Sequence, residues 1–397
     1  MKCVVGIMAC GYVGAEGVLP QKELFSLESY IKSTQIEQEG WLIASLGEEG
    51  SNALKDLTKE RKPYRKLDRS VLMAILTARM VKSQYPVKSG TVGTNIGSSR
   101  GATKTFEHLH QEFLEADKTT TSAFTSPTTT LGNISSWVMD DLGWSGPVLS
   151  HSITCSTAIQ GLANGMAWLK AGMADYFLAG GSEAPLTSFT LHQMKALGIY
   201  AEESTDGYPC QPLNMEEAQP HGMVLGAGSA SFLLQNFEVE QMGKSNPMAV
   251  VESVGLGNEP LEGFTGISDA GTCFQRSMHM ALKSQLSEAP VDMILVHAPG
   301  TNQGDQAELN AIEAIFGNQT PYLYSTKWKQ GHTFGASAAL GLYLALQCLK
   351  DQKIPEFPYG LSFKNHPPAS VRKIMINAAG FGGNAGSIVV SLPDMFR

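Results

Sequence analysis

The stretch Ser150-His-Ser-Ile-Thr-Cys155-Ser-Thr-Ala-Ile-Gln-Gly161 decides how the chain is read. A short apolar segment, 147–153, ends at a cysteine, and a helical pattern rich in small residues (Ala158, Gly161, Ala163, Gly165) starts at once. A thiol at a strand-to-helix turn lies in the positive field of the helix N-terminus, beside backbone N–H groups with no partner inside the helix. That field is expected to lower the thiol's pKa and favour the nucleophilic thiolate. The same N–H groups can hold an oxyanion when the sulfur attacks a carbonyl. The plain alternative is a buried structural cysteine, so the remaining motifs have to discriminate.

Working outward, strand-like apolar runs alternate with helical patterns, the mark of an α/β architecture. Strands are expected at 3–9, 92–96, 147–153, 176–180, 223–234, 248–254 and 291–297. The glycines at 180–181 read as a strand end. Residues 373–377 and 387–392, around a glycine turn, read as two final adjacent strands. Helices are expected at 68–83, where Val71, Leu72, Ile75, Leu76 and Ala78 share a face, and at 272–285 and 335–346. The polar stretch 236–246 looks like a link, after which the order of elements restarts. We therefore divide the chain into an N-terminal half, 1–236, carrying Cys155, and a C-terminal half, 237–397.

Composition narrows the classes. Of 397 residues, 43% are hydrophobic and only 17% charged, which leaves room for a large face buried against a partner subunit. A net charge of -8 argues against general nucleic-acid binding. The six cysteines are scattered without a C-x-x-C pair, which is neither a disulfide framework nor a zinc site and fits a reducing compartment. No apolar run reaches membrane-spanning length, and the first apolar run, broken by Gly11 and Gly14, reads as a strand and not as a signal peptide. A cytoplasmic location without membrane insertion is expected.

Three further motifs carry chemistry. His297-Ala-Pro-Gly-Thr-Asn-Gln-Gly-Asp305-Gln-Ala-Glu308 follows an apolar strand, a common place for catalytic side chains in α/β folds, though a loop histidine bonded to backbone would look the same. Ser325-Thr-Lys327-Trp-Lys-Gln-Gly-His332-Thr-Phe-Gly-Ala-Ser-Ala338 precedes a small, apolar helix, so His332 is expected in a crowded interior; Lys327 alone would read as a surface lysine. Asn377-Ala-Ala-Gly380-Phe381-Gly-Gly-Asn384 suggests a backbone that turns sharply and approaches a ligand, or a plain hairpin turn.

Taken together and in this order, Cys155, His297 and His332 in their glycine-bounded contexts resemble the β-ketoacyl-acyl-carrier-protein synthases, in the branch with two active-site histidines. The match runs over nearly the whole chain, including 127–143 and Ala179-Gly-Gly-Ser-Glu183. The resemblance implies a thiolase-like fold: two similar α/β halves packed as a five-layered αβαβα structure. It implies that Cys155 is the acylated nucleophile and that His297 and His332 stabilise the enolate formed when a malonyl thioester loses carbon dioxide. It gives the oxyanion hole to the backbone N–H groups of Cys155 and Phe381, makes Phe381 a gate, and makes Lys327 and Glu308 a buried pair that holds the histidines. It assigns Thr301 to the pantetheine arm, and Lys62, Arg65 and Lys66 to the docking of an acidic acyl carrier protein. An ordinary solvated helix start is the plain reading of that basic patch. No metal or other cofactor is implied, because substrates arrive on the carrier's phosphopantetheine arm. A dimer is implied, of identical chains or with a homologous ketosynthase-like chain.

The chain departs from the family's pattern at several points. Pro299 stands where one of two arm-binding threonines is usual, Ala227 replaces a glutamate in His221-Gly-Met-Val-Leu-Gly226-Ala227-Gly228, and Asn384 and Ala385 replace a threonine and an asparagine. These departures point to a divergent member, in fatty acid or in polyketide or aryl-polyene-type biosynthesis. The alternative is a non-catalytic, chain-length-setting subunit of a heterodimeric ketosynthase. Those partners lack the nucleophile, so Cys155 with both histidines counts against it.

Overall fold

In the computed structural model, which describes residues 3–131, 133–202, 207–216, 222–261, 263 and 266–396, the N-terminal apolar run forms strand β1 (Cys3–Gly14), buried from Val4 onward. Of the segments quoted above, Gly132 and His221 lie outside the described residues. A strand covered on both faces reads as a continuous apolar run and not as an alternation. The first half adds β2 (Val92–Gly97), β3 (Val148–Leu149), β4 (Tyr176–Glu183) and β5 (Gly228–Glu238). The second half has β6 (Ala249–Asn258), β7 (Met293–Leu295), β8 (Tyr322–Tyr324), β9 (Lys373–Gly380) and β10 (Asn384–Ser391).

These ten strands follow one sheet path, β8-β7-β9-β10-β6-β1-β5-β4-β2-β3. β1 and β6 meet antiparallel at the seam, Val5 opposite Val251. Read outward from that seam, each half has the same order: first strand, fifth, fourth, second, third. In each half the fifth strand is antiparallel to both neighbours and the outer three strands are parallel. The chain thus builds one unit twice.

The helices that frame the sheet and the site include α1 (Arg69–Gln84), α2 (Thr103–Glu115), α3 (Asn133–Leu142), α4 (Thr157–Lys170), α5 (Ser188–Ala196), α6 (Thr272–Lys283), α7 (Asn302–Phe316) and α8 (Ser337–Asp351). Alternation along the strands sorts their side chains into three cores. Val5, Ile7, Ile374, Ile376, Ile388 and Val390 meet Ile159, Leu162, Leu340 and Leu344 of α4 and α8. Val4 and Met8 turn the other way, onto Val71 and Ile75 of α1 and Val138 of α3. Met375 and Val389 pack with Phe274 and Met278 of α6 and Ala311 of α7. The result is five layers, αβαβα, with α4 and α8 at the centre. Because α8 is enclosed on every side, it is apolar all round and buried from Ser337 to Leu349.

Several expectations change at their ends. β5 continues through Asn236 to Glu238, since Asn236 finds a partner in Val5 and Glu238 in Cys3, so the connection between halves begins at Val239. Gly180 and Gly181 are inside β4 and do not end it: a Cβ on Gly180 would lie 2.2 Å from the Ala230 carbonyl of β5. The glycine is required by close strand packing and not by a turn. The strand expected at 147–153 shrinks to β3, because hydroxyls satisfy the backbone locally: Thr157 Oγ1 accepts from Ile153 N–H at 2.9 Å and donates to the Thr154 carbonyl at 2.6 Å. At α1 the Asp68 carboxylate caps the helix, accepting from Ser70 N–H at 2.9 Å.

Candidate active site

The parallel strands of each half deliver their C-terminal ends to one place. β3 leads to Cys155 before α4, and β8 leads to His332 before α8, so the cysteine and the histidine occupy matching positions in the two halves. β7 leads to His297 and β9 to the Gly380–Phe381 turn. Loops after carboxyl ends of strands are where α/β proteins place ligands.

Cys155 lies just outside α4, after Thr154, whose φ of 52° is in the left-handed region. Its Sγ is 3.3 Å from His332 Nε2. His332 is anchored at both backbone atoms: its N–H donates to the Val224 carbonyl at 2.7 Å, and its carbonyl accepts from Gly226 N–H at 3.0 Å. The His297 and His332 rings stand at 81° with centroids 5.2 Å apart.

The His297 loop is clamped by two carboxylates three residues apart on α7. Glu308 accepts from His297 N–H at 3.0 Å and from Ala298 N–H at 2.8 Å, and is steadied by Asn377 Nδ2 at 3.1 Å. Asp305 accepts from Gly300 N–H at 3.0 Å and from Leu213 N–H at 2.8 Å. The expected Lys327–Glu308 ion pair is not formed: Lys327 Nζ donates to the Val296 carbonyl at 3.0 Å, and Glu308 is occupied by the loop's N–H groups. The lysine acts on the site through its field. Burial pulls it down to about 8, with Glu308 and Asp305 opposing.

Charge in this chamber is set by burial. Burial first, then Lys327, brings His332 down to about 3, and His297 is held well below the usual histidine range by burial, Lys327 and His332. Both rings are therefore neutral. Neither Nδ1 has a hydrogen-bond partner among the described residues, so the tautomer with its proton on Nε2 avoids an unsatisfied buried N–H. The expectation of a low-pKa cysteine is corrected here. The residue is half-buried at the cavity wall, and desolvation together with the Glu183 carboxylate pushes the thiol up to about 12, against Lys327 and Arg100. The helix begins only at Thr157, two residues beyond the thiol.

The glycine-rich turn between β9 and β10 is a hairpin and also lies against Cys155. A Cβ on Gly380 would be 1.9 Å from Thr154 Oγ1 and 2.7 Å from Cys155 N. Asn384, one of the departures, ties this hairpin down: its Oδ1 accepts from Ser156 Oγ and its Nδ2 donates to the Phe381 carbonyl at 3.0 Å. Glu183, quoted in a motif but given no role by the sequence, joins the halves. It accepts from Ser98 Oγ (2.8 Å), Ser99 N–H (2.7 Å), Arg100 N–H (3.1 Å) and, across the layer, Gly335 N–H (3.0 Å). A glutamate ending a buried strand was the available signal.

Cys155, His297, His332 and Phe381 line one cavity of about 1290 Å³, which also takes in Pro299 and Thr301. Pro299 holds the Cys210 thiol through its carbonyl at 3.4 Å, and Ala227 is buried. Lys62, Arg65 and Lys66 are outside the cavity, exposed on the turn Lys62–Lys66 ahead of α1, and form no ion pair among the described residues. Lys66 Nζ lies 3.4 Å from the Phe124 ring centroid.

Fold and site together define a thiolase-like condensing enzyme. Residues 54–239 match the β-ketoacyl synthase N-terminal domain and residues 248–359 the β-ketoacyl synthase C-terminal domain; the chain belongs to the β-ketoacyl synthase family, whose members are condensing acyltransferases. It is 26% identical over 377 residues to 3-oxoacyl-[acyl-carrier-protein] synthase 2 of Staphylococcus aureus, covering 90% of this chain and 92% of that one. It is 27% identical over 311 residues to nodulation protein E of Rhizobium meliloti, covering 76% and 75%. Among solved structures, a type II polyketide ketosynthase in complex with its acyl-carrier protein superposes with a TM-score of 0.82 at 21% identity, covering 98% of this chain and 99% of that one. The ishigamide ketosynthase/chain length factor does so at 0.83 and 17%, with the same coverage.

Proposed function

We propose that the chain joins an acyl group held on Cys155 to the two-carbon unit of malonyl-acyl carrier protein, giving a 3-oxoacyl carrier protein in fatty acid or polyketide-type biosynthesis. The observation that carries this is Cys155 Sγ at 3.3 Å from the Nε2 of a neutral His332, with a second neutral histidine at right angles to it in the same chamber. The Cys155 sulfur attacks the acyl thioester, the carrier thiol leaves with the proton, and acyl-Cys155 remains. The malonyl C–CO₂⁻ bond then breaks and its electron pair becomes an enolate, whose oxygen receives the Nε2–H groups of His297 and His332. The enolate carbon attacks the acyl carbonyl, with the backbone N–H groups of Cys155 and Phe381 facing the oxyanion. The C–S bond breaks, the sulfur is reprotonated, and the 3-oxoacyl chain leaves on the carrier. Thiol and N–H donors complete this chemistry without a metal or redox cofactor. The cavity exceeds the roughly 300–1,000 Å³ of an ordinary small-molecule site and suits an arm and a chain together, the arm passing Thr301.

The exposed, unpaired Lys62, Arg65 and Lys66 suit an acidic carrier protein. Phe106, Phe124, Leu131 and Ile153 are exposed on the segment that also bears the free edge strand β3, which supports a two-chain particle, with itself or with a homologous chain. No helix among the described residues is long and apolar enough to cross a membrane, in keeping with a cytoplasmic location. Incubation with malonyl carrier protein and a panel of acyl carrier proteins, read by intact-protein mass spectrometry, is expected to show acyl-Cys155, loss of carbon dioxide and a 3-oxoacyl carrier, all abolished in Cys155→Ala. Acylation of Cys210 or Cys273 with Cys155 unmodified refutes the assignment. A chain that is never acylated but alters the products of a partner ketosynthase is a chain-length subunit instead.

A further inference from the structure

We propose that Arg100 selects the acyl chain, favouring one that carries a hydrogen-bond-accepting oxygen, a keto or carboxylate group, over a plain alkyl chain; this rests on the acyl-Cys155 reading above. The cavity that holds Cys155 is not lined as a hydrocarbon slot. Beside Met194, Leu197, Ile199 and Met223 its wall contains Arg100, Glu107 and His110. An alkyl chain laid there would strip water from charged groups and return nothing, which is costly.

Arg100 stands out among these groups because no carboxylate bonds its guanidinium directly, although the Glu107 carboxylate lies within its field. It forms no ion pair among the described residues. Its Nη2 donates to Gln193 Oε1, while its Nε is enclosed and has no partner. The nearby Glu107 carboxylate accepts from Thr187 Oγ1 at 2.9 Å through Oε1 and forms no ion pair with Arg100. The main chain of Arg100 is fixed, its N–H on Glu183 at 3.1 Å. The guanidinium carbon sits 5.8 Å from the Phe334 ring, and that ring is 5.4 Å from His332. Arg100 is thus one aromatic ring away from the reacting centre. By topology it sits in the loop after β2, the counterpart in the first half of the His297 loop after β7. A guanidinium offers a rigid fork of donors to carbonyl and carboxylate oxygens. Nη1 donates to no group among the described residues and, unlike Nε, is not enclosed, so it is the donor a ligand oxygen would reach.

The test follows acyl transfer to Cys155 from pantetheine thioesters of octanoate, 5-oxooctanoate and suberate, by intact-protein mass spectrometry, in wild type, Arg100→Ile and Arg100→Lys. The wild type is expected to accept at least one oxygenated chain about tenfold faster than octanoate, the scale of one hydrogen bond to a charged group. Arg100→Ile should abolish that ratio and Arg100→Lys should retain part of it. A preference for the keto chain or for suberate identifies which oxygen is read. Octanoate transferred as fast as both oxygenated chains in the wild type, with the ratio unchanged in Arg100→Lys, overturns the inference and leaves acyl-Cys155 standing. No acylation of Cys155 by any of the three overturns the reading beneath it.

Discussion

Replacing Gly380 by alanine adds one methyl group where the hairpin rests on the nucleophile. The new Cβ would stand 1.9 Å from Thr154 Oγ1 and 2.7 Å from Cys155 N. The threonine hydroxyl could rotate only by giving up its bonds to the Ile153 and Phe381 carbonyls, and the Cys155 nitrogen is main chain and cannot swing aside. Relief therefore requires the β9–β10 hairpin and the Cys155 turn to separate by about 1–1.5 Å, the distance from these contacts to ordinary van der Waals spacing. Asn384, which ties the two together, resists that separation. Overpacking of this kind typically costs about 1–3 kcal/mol of stability. The effect on chemistry should be larger than the effect on folding, since a displacement of about 1 Å in a positioned site can cost about 100-fold in rate. Gly380→Ala should fold, with a modestly lowered melting temperature, and acylate Cys155 about 100-fold more slowly from an acyl-pantetheine thioester. Alkylation of the same thiol by iodoacetamide, which needs no oxyanion hole, should change far less. Acylation within threefold of the wild type in a folded variant would refute the placement of the hairpin N–H groups at the reacting carbonyl.

Three further outcomes follow from the same geometry. Because burial pushes the Cys155 thiol up to about 12, its thiolate fraction grows about tenfold per pH unit below that value, so the iodoacetamide rate should still be climbing between pH 7 and pH 10; a plateau below pH 8 would show a low-pKa thiol. Glu308→Gln leaves one carboxamide oxygen to serve two backbone N–H groups, so the His297 loop loosens; release of carbon dioxide from malonyl carrier protein should fall about 10- to 100-fold while alkylation of Cys155 stays within a few-fold, and equal losses in both assays would point to general unfolding. Reversing Lys62, Arg65 and Lys66 to glutamate should raise KM for acyl carrier protein but not for an acyl-pantetheine thioester, with the difference shrinking at high salt, where exposed charges are screened over about 8 Å or less. No change for the carrier places its docking surface elsewhere.

Much of this molecule is legible in one dimension. Strands covered on both faces show as largely apolar runs between turn residues, so β1, β2, β4 and the β9–β10 pair could be located from the sequence pattern. The order of Cys155, His297 and His332, each at the end of a strand and the start of a loop or helix, was enough to nominate the site, because the local signals are turns and small residues that neighbour sequence positions display. What sequence could not show are the properties that depend on groups far apart in the chain. The β1–β6 seam pairs residues about 250 positions apart, and only that pairing makes the two halves repeats of one unit and aims both sets of strand ends at one cavity. The partners of Lys327 and Glu308 were misread because a carboxylate binds whichever donors the fold brings to it, and here those were the N–H groups of His297 and Ala298. The thiol was misread for a related reason. A helix N-terminus can be seen in sequence, whereas desolvation and the Glu183 carboxylate, from a strand that folds back beside it, exist only in three dimensions. Sequence alone therefore nominated the side chains that meet in the cavity, and the tertiary structure decided their charge and their bracing.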